Sequence, residues 1–213
     1  GAVTINASMT VRGGNSAGTG INGGSTYGIE IFSYNYGSID PASPGKIRIA
    51  GQYDLRGGNG DGSGGNGGYL SIYDAYNTND SSIGSDVELV GFPTLIMNGG
   101  DGANGGSASG SAFQLYTYSP DGVMPAGPIT NEANIEARGG NAAATTGSLG
   151  GEGGNVTMTT NGISDSAEII TNSGNIDISG GSGDTGGSSN MMIYLGAEHV
   201  TNSGNLSANG ANG

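Results

Sequence analysis

One phrase recurs in a constant register along this chain. Residues 171–181 read Thr-Asn-Ser-Gly-Asn-Ile-Asp-Ile-Ser-Gly-Gly, and residues 201–211 read Thr-Asn-Ser-Gly-Asn-Leu-Ser-Ala-Asn-Gly-Ala. Residues 130–140 carry an earlier form, Thr-Asn-Glu-Ala-Asn-Ile-Glu-Ala-Arg-Gly-Gly. Such a phrase marks an architecture built by stacking, because one unit is too small to bury its own apolar face. Aligned on the glycines, Met9-Thr10-Val11-Arg12 precedes Gly13 and Tyr53-Asp54-Leu55-Arg56 precedes Gly57. Leu95–Asn98, Ile135–Arg138, Ile176–Ser179 and Leu206–Asn209 precede Gly99, Gly139, Gly180 and Gly210, so the units are 30 to 44 residues long.

Each four-residue phrase alternates apolar and polar residues, with Ile96 as the exception. Period two is the pattern of a half-buried strand. Val11, Leu55, Met97, Ala137, Ile178 and Ala208 should therefore line up one over another in a core. A second strand is expected after each glycine stretch, at 27–32, 69–73, 113–118, 156–160 and 191–195. A third apolar segment closes each unit, at Ile47–Ile49, Val87–Leu89, Ile129, Ile169–Ile170 and Val200. The connections between second and third segments vary in length and carry prolines such as Pro41, Pro44 and Pro120, as exposed insertions do.

No 3.6-residue period is sustained, so the expected class is all-β. Three short strands per unit predict a parallel β-solenoid of three sides, with glycine-rich turns and about five repeats. The repeats fall near 1–45, 46–91, 92–131, 132–172 and 173–202, with a partial one at 203–213, in a single domain. A sandwich of hairpins competes, but it would not need the six-fold register. The glycine stretches admit two readings. They are surface loops, or they are packed segments with the three-residue polyproline-II period, as in Gly99, Gly102, Gly105 and Gly180, Gly183, Gly186.

Glycine supplies 47 of 213 residues and only 33% of the chain is hydrophobic, a balance that otherwise suggests disorder. The regular apolar clusters argue against that. No apolar run approaches the ~20 residues of a membrane span. A formal charge of −13 leaves little attraction for phosphate backbones, so nucleic acid is not an expected partner. Cysteine is absent, which suits a cytosolic protein or an exported one without disulfides. The chain begins at Gly1 without Met, either because a leader was removed or because it is an excised piece. Heavy Gly, Asn, Ser and Thr usage leads us to expect an exported bacterial protein at the cell surface.

Asn131, Asn172 and Asn202 share one repeat position; Asn134, Asn175 and Asn205 share another. In a stack each set should form a ladder, amide upon amide, although asparagine is also an ordinary turn residue. Arg12, Arg56 and Arg138 occupy one position, with Asp54, Glu136 and Asp177 on the neighbouring one, as a charged structural face would. No cofactor is expected. The glycine stretches depart from the calcium-binding nonapeptide spacing, and Asp61, Asp101 and Asp184 are the candidates should calcium bind. His199 is the single histidine and has no recognisable catalytic partners. Tyr34, Tyr36, Tyr73, Tyr76, Tyr116 and Tyr118 could stack on sugars or pack within insertions. Asn77-Thr78-Asn79-Asp80 matches carboxylate motifs of polysaccharide lyases only superficially.

The Thr-Asn-Ser-Gly-Asn-Ile-x-Ile-x-Gly phrase resembles the repeats of filamentous-haemagglutinin-like secreted adhesins, over residues 130–211. That resemblance implies a right-handed parallel β-helix. The unit length and the long glycine turns differ from that family. Both termini lie near strands and no polar capping unit is visible, so open strand edges are expected. The expected function is a structural subunit of an extracellular filament, not an enzyme. It would polymerise with itself head to tail through Met9, Val11, Asn205, Leu206 and Ala208. A glycan-binding adhesin and a polysaccharide-degrading enzyme are the alternatives.

Overall fold

A computed structural model describes residues 2–36, 46–77, 86–118, 126–162, 168–188 and 192–211. Among them there is no helix, and every strand pairs in parallel. The first layer holds β1 (Ala2–Ile5), β2 (Met9–Thr10) and β3 (Ile29–Tyr36). The second holds β4 (Lys46–Ile49), β5 (Tyr53–Asp54) and β6 (Leu70–Asn77). The third holds β7 (Asp86–Leu89), β8 (Thr94–Ile96) and β9 (Phe113–Tyr118). The fourth holds β10 (Ile129–Asn131), β11 (Asn134–Glu136) and β12 (Val156–Asn161). The fifth holds β13 (Ile169–Asn172), β14 (Ile176–Asp177) and β15 (Ile193–Gly196), and β16 (His199–Asn202) and β17 (Leu206–Ser207) begin a sixth.

The strand orders are β1-β4-β7-β10-β13-β16, β2-β5-β8-β11-β14-β17 and β3-β6-β9-β12-β15. The chain thus visits three sheets in rotation, and each layer lies one strand spacing, about 4.8 Å, above the last. Alternation sends one residue in two inward. Ile47, Val87, Ile129 and Ile170 are in register and wholly buried. So are Leu95, Ile135 and Ile176 in the second sheet, and Leu70, Phe113 and Val156 in the third. The expected column also forms: Val11 N–H donates to Asp54 C=O, Leu55 to Ile96, Met97 to Glu136, Ala137 to Asp177 and Ile178 to Ser207. Leu55, Met97, Ala137 and Ile178 are fully buried in it. Ile96, out of pattern in the sequence, is half-buried between buried Leu95 and Met97.

Some boundaries differ from the sequence reading. The strand expected from Tyr27 begins at Ile29, and Tyr27 is exposed. The strand expected at 191–195 runs Ile193–Gly196, and Met191 lies outside the described residues. The strand Ala2–Ile5 was not anticipated, although Val3 and Ile5 flank Thr4 in the usual alternation.

The glycine stretches are two packed legs per layer, which answers the question left open by the sequence. In the first leg every third N–H donates to the layer above: Gly57 to Asn98, Gly60 to Asp101, Gly99 to Arg138, Gly102 to Asn141. In the second leg Gly64 donates to Asn104, Gly67 to Ser107, Gly105 to Leu149 and Ala108 to Glu152. The residue after each first donor bonds across to the other leg. Gly24 donates to Gly14, Gly58 to Gly24, Gly65 to Gly58, Gly100 to Gly65 and Gly106 to Gly100. The series continues through Gly140, Gly151, Gly181 and Gly187 to Ala211, ten bonds of 2.8–3.2 Å in one unbroken chain. This is the polyproline-II period, held by hydrogen bonds that an isolated polyproline-II strand lacks.

Contact between successive layers of a leg is closer than a side chain permits. A Cβ on Gly100 would lie 2.1 Å from the Gly58 carbonyl oxygen, whereas one on Gly14 would meet nothing within 4 Å. Gly100→Ala should therefore cost about 3 kcal/mol, since the clash is with backbone that two layers hold in place. Gly14→Ala should change stability by less than about 0.5 kcal/mol. Urea unfolding of the two variants checks this, and equal effects would contradict the packed-leg arrangement.

Candidate functional site: the ladders and the two end faces

Stacking turns each repeat position into a column along the axis. Asn131 Nδ2 donates to Asn172 Oδ1 at 2.6 Å, and Asn172 Nδ2 donates to Asn202 Oδ1 at 2.6 Å. Each amide also closes its own corner: Asn131 Nδ2 to Ala133 C=O at 3.2 Å, Asn172 Nδ2 to Gly174 C=O at 2.9 Å, Asn202 Nδ2 to Gly204 C=O at 2.9 Å. Asn131 and Asn172 are fully buried, so these bonds satisfy amides that would otherwise be costly. In the lower layers the same column holds Ile49 and Leu89.

The second asparagine set behaves differently from the expectation of amide on amide. Asn134 Oδ1 accepts from the Asn175 backbone N–H at 3.1 Å, and Asn175 Oδ1 accepts from Asn205 N–H at 3.0 Å. This corner points outward, so the side chain meets the main chain of the next layer. The sequence reading missed two further ladders of this kind on the glycine legs. Asn15 Oδ1 accepts from Asn59 N–H, Asn59 from Asp101, Asp101 from Asn141 and Asn141 from Ser182, at 2.7–3.0 Å. Ser25, Asn66 and Ser107 do the same for Asn66, Ser107 and Glu152, at 3.0–3.2 Å. The signal was present in the sequence: a short polar residue directly follows Gly13-Gly14, Gly57-Gly58, Gly99-Gly100, Gly139-Gly140 and Gly180-Gly181.

The three calcium candidates are not brought together. Asp101 belongs to a ladder, Asp61 accepts from Gly20 N–H at 3.2 Å and Asp184 accepts from Gly147 N–H at 2.8 Å. Among the described residues no group of three or more His, Asp or Glu is placed to hold a metal ion. His199 is exposed on β16. Asn79 and Asp80 lie outside the described residues, as do the side chains of Tyr34, Tyr36 and Tyr76. Tyr73 stacks between Phe32 and Tyr116, with centroids 5.3 and 5.1 Å apart. These rings therefore turn faces to one another instead of outward, while Tyr118 is exposed.

The charged columns interleave as expected. Asp54 accepts from Arg12 Nε and from Arg56 Nη2, both at 2.8 Å, and Arg138 Nε meets Asp177 at 2.8 Å. Desolvation alone would raise the Asp54 carboxyl, but hydrogen bonds and charge from Arg56 and Arg12 outweigh it. They hold it well below the usual carboxylate range. The arginines border a shallow groove of about 400 Å³ floored by Gly13, Gly57, Gly99 and Gly139. Their charges are engaged by the acidic column, so the groove presents paired ions.

The first and last described layers differ from those between them. The first sheet ends on β1 and β16, the second on β2 and β17, the third on β3 and β15. In these outermost described layers members of the core columns are exposed: Val11 is 46% exposed in the first, Val200 42% and Leu206 45% in the last. Met9 is half-buried and Asn205 and Ala208 are exposed. The five residues singled out from the sequence thus all belong to end layers. Ile135 N–H donates to Asn175 C=O and Ile176 N–H to Asn205 C=O, both at 2.8 Å, and Leu206 repeats their position at the last edge.

Two substitutions check these ladders. Asn172→Leu removes three bonds and strands the amide of Asn131, so it should cost about 3 kcal/mol in denaturant unfolding. Asp54→Asn should cost only about 1 kcal/mol at neutral pH, because both arginines are largely solvated. Since the folded carboxyl is depressed, that stability is complete above an unfolded value of about 4 and is lost as pH falls below it. The gap between wild type and Asp54→Asn should close as the pH is lowered through the acid range towards the depressed value of the folded carboxyl.

Compared with protein-family models, with curated proteins and with solved structures, the chain matches none. The likeness to secreted adhesins rests on the Asn-Ser-Gly phrase alone.

Proposed function

We propose that this chain is a length of right-handed parallel β-solenoid serving as a structural subunit of an extracellular or cell-surface filament. It adds no chemistry of its own and is joined end on to further coils by parallel strand addition. Three parallel sheets visited in rotation support the solenoid, and parallel crossovers are right-handed almost without exception. The observation that carries the filament is the register itself: apolar columns and parallel strand edges repeat from layer to layer, so that a further coil can be added in the same register. Long open edges are a liability that proteins otherwise blunt with charge, proline or a covering element. Strand addition uses such an edge, with main-chain bonds for adhesion and pockets for alternate side chains.

Immunogold labelling of the producing cells with an antibody to this chain tests the proposal. Label should run along surface or released filaments. Val200→Lys combined with Leu206→Lys puts two charges into the apolar columns of one face. Filaments from cells carrying that pair should lose the label or shorten at least several-fold. Label confined to the cytoplasm, or filaments indifferent to both lysines, would overturn the reading. Purified monomer that binds immobilised glycans would move the function to the insertions.

A further inference from the structure

We propose that the face formed by β16 and β17 receives a coil bearing an Asn-x-Gly corner, and that it discriminates against this chain's own first layer. The inference rests on end-on joining and names the chemistry of the partner. Two independent contacts at one corner carry it.

The first is the asparagine ladder. In each step one N–H of the amide closes its own corner and the other rises to the oxygen of the asparagine above. Asn202 Nδ2 closes its corner on Gly204 C=O. Its second N–H is therefore left pointing at the layer to come, where it requires an oxygen. The residue of the first layer in this column is Ile5, through the register Ile5–Ile49–Leu89–Asn131–Asn172–Asn202. A second copy stacked on this face would press Ile5 onto that N–H and bury it without a partner, which is unfavourable.

The second is the corner backbone two residues on. A Cβ on Gly174 would lie 1.9 Å from Ala133 C=O, and one on Gly204 would lie 2.0 Å from Gly174 C=O. The same holds for Gly51 above Ala7, at 2.0 Å. Wherever one three-residue corner sits on another, the upper residue must be glycine. Alanine occurs here at Ala7, in the first layer, and at Ala133, above a corner enlarged by Gly91 and Phe92. The first layer thus offers Ile5-Asn6-Ala7 where this face requires Asn-x-Gly. The remaining columns are permissive: Val200 would meet Val3 and Leu206 would meet Met9. The corner alone makes the choice.

The test uses the purified chain of residues 1–213 and two synthetic peptides. One is Thr-Asn-Ser-Gly-Asn-Ile-Asp-Ile-Ser-Gly-Gly; the other replaces its first Asn by Leu and its first Gly by Ala. NMR titration of the monomeric chain should show the first peptide binding at least tenfold more tightly, with the Asn202 side-chain amide shifting. Equal affinities, preference for the second peptide, or no binding of either would overturn the proposal. A gain-of-function arm uses Ile5→Asn with Ala7→Gly in the same chain. Sedimentation should show end-to-end association at least tenfold stronger than wild type, reversed by adding Asn202→Leu. Wild type that polymerises as strongly as the double variant would refute the discrimination. Circular dichroism establishes that the double variant folds; were it unfolded, the peptide pair alone decides. Peptide binding without cellular filaments would sink the filament and leave the partner rule standing, and the converse result would do the opposite.

Discussion

The structure depends on main-chain hydrogen bonding between layers at a single spacing on every side. Sheets meet this requirement through their ordinary ladders. The glycine side meets it by abandoning side chains, because two legs of backbone must interlock within one strand spacing. A carbonyl about 2 Å from where a Cβ would stand recurs from Gly57 to Gly187. That recurrence explains a composition which by itself resembles that of a disordered chain.

Ordering glycine is entropically expensive, of order 1–2 kcal/mol per residue for the backbone. What offsets it is bonding in three directions: up within a leg, across to the other leg, and to the polar ladders beside it. The legs also close one side of the apolar column, so that Leu55, Met97 and Ile178 are fully buried although the glycines bring no apolar side chains. The compromise shows at Tyr53, whose hydroxyl is buried without a hydrogen-bond partner. A stack that repeats its backbone so closely tolerates few outward corrections to a poorly fitting side chain.

The same demand for like upon like governs polar columns. Asn131 can sit on Leu89 because its oxygen takes the Ala133 N–H of its own corner. Asn172 cannot be covered by an apolar residue, because its second N–H rises. The ladder therefore has a direction: it can start on an apolar layer but not stop beneath one. Direction in a side-chain column gives the two ends of the stack different chemistry even where both are apolar. The filament reading acquires polarity from this.

Several features could be read directly from the chain. Alternation placed Leu55, Met97, Ala137 and Ile178 inside, and the repeat register placed Arg56 beside Asp54 and Asn131 beneath Asn172. Local patterns sufficed because each unit repeats the same local problem. Other features were not legible for physical reasons. The three-residue period of the legs is interrupted at their tips, so Gly139, Ala142, Gly150 and Gly153 look irregular in line and become regular only when two legs face each other. Asn134 and Asn131 have the same residue type, yet one bonds to main chain outside and the other to an amide inside. Sequence alone determined the number of layers, the inward residues and the columns, since spacing and alternation are properties of the line. Tertiary stacking decided the conformation of the glycines and the sense of each ladder. Those depend on distances between layers, which no single repeat contains.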